Sequence, residues 1–317
     1  MLIQKTRLLA TCLLTLSAAS CAPIDPLAAA PPAPVLAIDP VVVNIAVGAG
    51  SEDGIVTRVT LPAEGDHLPV IIFSHGNRLS RTDYDPLVRS LARAGFAVVQ
   101  PDHPDASVDG LMPDGGGGGP DTWKVRVRAL KALAENIDRL EQASPLLAGR
   151  FDPSKLVALG HSYGGHSVAL AMGAKPALPV EDLSVPGFKA AVLLAPPGGF
   201  AGTSETWRER LPYLDVDYGT MRGPVLVING EADDSVMTSE GPGWHDDPFV
   251  QAAEGQGICL MKIPEAGHYL GGIDSFLRPP GDASAERREQ VFGTIAAFFN
   301  AALAGTGTPS GAPYACK

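Results

Sequence analysis

Ser162 stands in the run Gly160-His161-Ser162-Tyr163-Gly164-Gly165, a hydroxyl with a glycine two places to either side. A serine hydroxyl becomes an effective nucleophile only when a neighbouring base removes its proton during attack. The sequence around it can lift such a hydroxyl into reach. Leu156-Val157-Ala158-Leu159 is a short apolar run suited to a buried strand, and the stretch from His166 to Met172, rich in helix formers, is closed by Gly173. Strand, G-x-S-x-G turn and helix in that order make a nucleophile elbow, with the serine strained and raised above the carboxyl edge of the sheet. Gly160 and Gly164 let strand and helix approach without an intervening Cβ. In a chain with 36 glycines the pattern alone is weak, so its weight rests on its surroundings.

Those surroundings alternate between strands and helices. Strands are predicted at Val41–Val47, at Ile55–Leu61 on the sheet edge, and at Leu68–Phe73, which is apolar on both faces like a buried parallel strand. A helix from Tyr84 to Ala94 and a strand from Phe96 to Gln100 follow. The loop opened by Asp102-His103-Pro104-Asp105 contains five consecutive glycines, Gly115 to Gly119, and reads as a mobile segment or gate. A long helix N-capped by Asp121 carries the stripe Trp123, Val127, Leu130, Ala134 and Ile137. Beyond the elbow, Ala190–Ala195, Val225–Ile228 and Ile258–Ile263 read as buried strands. The closing helix, Ala285 to Leu303, presents Val291, Ile295, Phe298 and Ala302 on one face. This alternation predicts one α/β domain: a doubly wound, mostly parallel sheet with helices on both faces.

Composition bounds the function. With 45% hydrophobic and 19% charged residues the chain is globular, and a formal net charge of -11 argues against nucleic acid and anionic lipid headgroups as electrostatic partners. Residues 1–20 read as an export signal, with Lys5 and Arg7 before an apolar core from Leu8 to Ala19. Ala18-Ala19-Ser20-Cys21 resembles a bacterial lipoprotein signal in which Cys21 is lipidated, although leucine is usual where Ala18 stands. An ordinary signal peptide, cleaved nearby or after Ala30, is the alternative. Residues 21–40, with six prolines among alanines, predict a semi-rigid tether of at most about 60 Å. Cys12 leaves with the signal, and Cys21 is lipidated or removed. Cys259 and Cys316 remain as an even pair in an oxidising compartment, predicting a disulfide that pins the C-terminal tail, residues 305–317, to the last strand.

Two further loops complete the chemistry. Asn229-Gly230-Glu231-Ala232-Asp233-Asp234 follows the strand ending at Ile228, and Ala266-Gly267-His268-Tyr269 follows the strand ending near Ile263. Serine, acid and histidine in that order, each after a buried strand, resemble the α/β-hydrolase family over about residues 41–304. Phe73-Ser74-His75-Gly76-Asn77 and Gln100-Pro101-Asp102-His103 narrow the resemblance to bacterial relatives of dienelactone hydrolases and of platelet-activating-factor acetylhydrolase. The resemblance implies Ser162 as nucleophile, His268 as base and Asp233 as the acid that orients it, with Asp234 the alternative. It further implies an oxyanion hole from the backbone N–H groups of Tyr163 and Asn77.

Departures from these relatives limit what carries over. Dienelactone hydrolase itself uses cysteine as nucleophile, so lactone specificity does not follow. The acetylhydrolase carries its acid one strand earlier, where this chain has Ala195-Pro196-Pro197 and no carboxylate. Aromatic-polyester hydrolases share a C-terminal disulfide but usually carry methionine where Tyr163 stands.

Other residues have competing readings. His75, His103, His161 and His166 lie in the wrong segments for the base and are expected to pack or hydrogen-bond locally. Trp244-His245-Asp246-Asp247 reads as a short polar loop, because no H-x-x-x-H or paired-cysteine spacing supports zinc. Trp207 and Tyr213 line an acyl pocket or anchor their loop. The expectation is an exported serine esterase, without cofactor or metal, acting on a small-molecule or lipid-like ester, with a membrane tether if Cys21 is lipidated. Polyester hydrolysis and acyl transfer are rivals on the same residues. A catalytically silent hydrolase-like binding protein is the rival from another class.

Overall fold

Apolar runs with residues buried on both sides form the centre of the fold, and helices cover both of their faces. The computed structural model describes residues 32–47, 54–107, 119–276, 283–308 and 311–317. Ala33–Lys317 form one compact unit; the other, Met1–Pro32, lies outside the described residues except for Pro32. The export signal, Cys21, most of the tether and most of the glycine run therefore fall outside the description.

In chain order the elements are β1 (Val35–Val43), β2 (Ile55–Pro62), β3 (Leu68–Ser74), α1 (Asp85–Arg93), β4 (Ala97–Pro101), α2 (Thr122–Glu135), α3 (Ile137–Gln142), β5 (Phe151–His161) and α4 (Tyr163–Ala171). There follow β6 (Lys175–Pro176), β7 (Phe188–Leu194), α5 (Glu205–Arg208), β8 (Val216–Asp217), β9 (Val225–Gly230), α6 (Asp247–Val250), β10 (Ile258–Ile263), α7 (Ala285–Ala304) and β11 (Ala315–Cys316). Among the described residues nine strands form one sheet in the order β1-β2-β4-β3-β5-β7-β9-β10-β11, and β6 pairs with β8 separately. Neighbours from β4 to β10 run parallel, whereas β1, β2 and β11 pair antiparallel.

Strand periodicity divides the core in two. Val70 and Ile72 of β3 and Ala158 of β5 pack with Trp123, Val127 and Leu130 of α2 and Val168 of α4. Their alternates Ile71, Phe73, Val157 and Leu159 pack with Leu87 and Leu91 of α1 and with Val291, Ile295 and Phe299 of α7. Full burial of one such side chain is worth about 1.5–3 kcal/mol. The doubly wound sheet with helices on both faces is therefore present.

Several local expectations change. β1 begins six residues before Val41, inside the segment read as tether, and its pairing with β2 shifts register between Ile38 and Val41. Pro40 sits in that shift; an outermost strand tolerates a residue with no N–H to donate. β2 is not an edge, because β1 covers its outer side. The helix after Asp121 breaks at Asn136, where φ is -131° and ψ 39°, so Ile137 belongs to α3. Asp121 makes no side-chain cap and instead pairs with Lys124 at 2.8 Å. The tail contributes β11, whose Cys316 lies opposite Cys259 in β10 and is joined to it by the expected disulfide.

Candidate active site

β5 stops at His161, and α4 starts at Tyr163. Ser162 between them has φ 53° and ψ -120°, a left-handed backbone that an L-residue adopts only under constraint. Two glycines make the turn possible. A Cβ on Gly160 would lie 2.2 Å from the Gly164 carbonyl oxygen, and one on Gly164 would lie 2.0 Å from the Ser74 carbonyl oxygen. The Ser162 N–H donates to the Leu194 carbonyl at 2.8 Å, fixing the turn to β7. Tyr163 opens α4, so its N–H is one of the helix's first donors, which have no intrahelical acceptor.

Asp233 and His268 come from the loops after β9 and β10. Those parallel neighbours deliver both loops to the same edge, where the Ala232 N–H donates to the Ala266 carbonyl at 2.9 Å. Gly230 allows this approach, since its Cβ would lie 2.1 Å from the Ala266 oxygen. His268 Nδ1 donates to Asp233 Oδ2 at 2.8 Å. Asp233 is 3% exposed and His268 30%. Asp234, the alternative acid, faces solvent. Ser162, Tyr163, His268 and Asn77 line one cavity of about 650 Å³, while Asp233 sits behind its wall. Trp207 and Tyr213 line it too, and Tyr213 also stacks on Trp123 with ring centroids 6.5 Å apart, so it anchors its loop as well.

Much of what holds these loops was not visible as a motif. Arg126 lies on the apolar face of α2 and is fully buried. Its Nε and Nη2 donate to the two oxygens of the equally buried Asp105, at 2.9 and 2.7 Å. Its Nη1 donates to the His75 carbonyl at 2.8 Å, and its guanidinium lies 4.4 Å from the Tyr163 ring centroid. One buried cation thus supports both the segment before Asn77 and the residue after Ser162. Burial pushes the Asp105 carboxyl up, but the Arg126 charge and hydrogen bonds hold it below the ordinary value.

The histidines expected to bond locally reach further. His161 Nε2 donates to the His268 carbonyl at 3.0 Å, and Nδ1 accepts from the Tyr84 hydroxyl at 2.8 Å. Tyr84 in turn accepts from the Gly76 N–H at 2.9 Å. The loop before Asn77, the elbow and the histidine loop are joined by this chain of donors and acceptors. His75 does bond locally, to the Gly76 carbonyl at 2.8 Å, but also accepts from the His103 N–H at 3.1 Å. Burial, then the Arg126 charge, lower His75 and His166 to about 3, so both are neutral at ordinary pH.

His245, assigned from sequence to a polar loop, is buried beside the same acid. Its Nε2 is 3.4 Å from Asp233 Oδ2. No sequence signal marks it, because a short 3-10 helix, Gly241–Asp246, folds it back onto Asp233 and only that fold brings the two side chains together.

Comparison with known proteins agrees with the fold. A family model described as "Alpha/beta hydrolase family" matches residues 71–246. An esterase from Pyrobaculum calidifontis superposes with a TM-score of 0.53 at 18% identity, covering 88% of this chain and 87% of its own. A dienelactone hydrolase candidate from Klebsiella pneumoniae superposes with a TM-score of 0.54 at 17% identity, covering 84% of this chain and 99% of its own. No curated protein matches the sequence.

Proposed function

Because this chain belongs to the α/β-hydrolase family, we propose that it is a serine esterase cleaving carboxylic esters through an acyl-enzyme. The observation that carries the reading is the 2.8 Å contact of His268 Nδ1 with buried Asp233, at the wall of the cavity that Ser162 also lines. Ser162 Oγ attacks the ester carbonyl while His268 Nε2 takes its proton. Asp233, accepting from Nδ1–H, fixes the tautomer and stabilises the imidazolium. The tetrahedral oxyanion accepts from the Tyr163 and Asn77 N–H groups, each such donor being worth about 3–4 kcal/mol. Collapse expels the alcohol, which receives the proton from His268. Water then repeats the sequence and frees Ser162 and a carboxylic acid.

The compact unit Ala33–Lys317, which carries the whole sheet from β1 to β11, is the proposed catalytic domain, preceded by a signal and a shortened tether. The Cys259–Cys316 disulfide is compatible with export, and the sequence around Cys21 supports attachment to a membrane through a lipid. The substrate is a small-molecule or lipid-like ester, in keeping with apolar walls that include Leu79, Trp123, Leu211 and Met237. A fluorophosphonate probe should label the wild type and not Ser162→Ala, and that variant should lose turnover of short p-nitrophenyl esters while remaining folded. Turnover undiminished in Ser162→Ala refutes the assignment.

A further inference from the structure

The environment of His245 is unusual for a neutral buried imidazole. Nδ1 lies 2.6 Å from the Pro196 carbonyl oxygen, which can only accept, so Nδ1 carries the ring proton. Nε2 therefore points a lone pair at Asp233 Oδ2, 3.4 Å away, and finds no hydrogen-bond partner among the described residues. The side chain is 1% exposed, so bulk water does not satisfy it. Two electron-rich atoms facing one another in a buried setting can be bridged by a cation. A third donor is at hand: one ligand atom from each of Asp233, His245 and His268 lies within 4.8 Å of the others.

We propose that Asp233, His245 and His268 form an inhibitory site for a borderline-soft divalent cation, zinc being the type. Two imidazoles and a carboxylate suit zinc or copper, whereas magnesium and calcium prefer sites built from oxygen alone. Zinc bonds of about 2.0–2.2 Å require ligand atoms about 3.3 Å apart. His245 and Asp233 already meet this spacing, and the 30% exposed His268 is the partner with room to close. Entry is through the cavity, whose lining includes both His245 and His268. On binding, the metal takes Asp233 oxygen, His245 Nε2 and His268 Nδ1, and the proton on Nδ1 leaves to solvent. His268 and Asp233 can then no longer serve Ser162, which is the inhibition. That consequence rests on the esterase reading; the binding does not.

The test uses chelator-stripped protein titrated with zinc chloride, and wild-type crystals soaked in zinc and measured at the zinc absorption edge. One tight zinc per chain is expected, with its anomalous peak among the three side chains. Wild-type ester hydrolysis should fall with the same midpoint as binding. His245→Gln should raise both midpoints at least about tenfold, since a neutral amide is a poor zinc ligand. Ser162→Ala should bind zinc as the wild type does, so failure of the esterase reading leaves the binding result intact. A peak only elsewhere, no binding at millimolar zinc, or unchanged midpoints in folded His245→Gln would overturn the site. If His245→Gln does not fold, the wild-type anomalous map decides.

Discussion

The Arg126 guanidinium lies 4.4 Å from the Tyr163 ring centroid while pairing through two nitrogens with Asp105, and neither charged side chain is exposed to solvent. Removing one partner strands a buried charge, which typically costs about 3–5 kcal/mol. Arg126→Met and Asp105→Asn should each lose that much in urea unfolding and lower kcat. The double variant Arg126→Met/Asp105→Asn should lose less than the two singles combined. Additive losses in that cycle would show the two groups to be uncoupled.

The two adjacent carboxylates of the acid loop should separate cleanly. Asp233 meets His268 and is buried, whereas Asp234 faces solvent. Asp233→Asn should lower kcat by about 10⁴-fold through loss of the correct imidazole tautomer. Asp234→Asn should change it by less than about threefold. Steady-state kinetics on one ester decides between them, and the reverse ranking would reassign the acid.

The disulfide closes a chain segment with a sequence separation of 57. Chain entropy for a loop of that length corresponds to about 4 kcal/mol. The double variant Cys259→Ser/Cys316→Ser should lose stability of that order, while turnover of the proposed ester substrate below its melting temperature stays near wild type because the bridge sits at the start of β10 and the His268 loop follows its other end. Calorimetry checks the first expectation and a rate assay at low temperature the second.

Acid should weaken the fold well above the carboxylate range. His75 and His166 titrate in the folded chain only near about 3, against 6.5 when unfolded. Between those values the unfolded chain binds protons that the folded chain refuses, so stability falls as pH falls. The slope approaches about 1.4 kcal/mol per pH unit for each histidine, or about 3 for the pair. Asp105, held low in the folded state, adds a loss of the same sign only below the ordinary carboxylate range. Urea midpoints at pH 7, 5.5 and 4.5 should decline in order; a flat profile would contradict this.

The sequence determined the elbow and the alternation that builds the sheet, because those follow from residues close together in the chain, and the order of serine, acid and histidine, because each stands just after a strand that is itself a local pattern. Glycines at 160 and 164 and the apolar run before Ser162 are local signals with a local cause. The cysteine pair was legible by elimination. Arg126 could not be read, since a cation on an apolar helical stripe has meaning only once Asp105 and the His75 carbonyl are found opposite it. His161, His245 and Tyr84 were equally silent. Each acts on segments distant in the chain, and a buried polar group shows its purpose only when its partners are known. Strand limits moved for the same reason: β1 begins where β2 offers it pairing partners, which no pattern within residues 35–40 announces. Tertiary structure alone decided which of two neighbouring aspartates meets the imidazole, because burial and distance are properties of the assembled sheet edge.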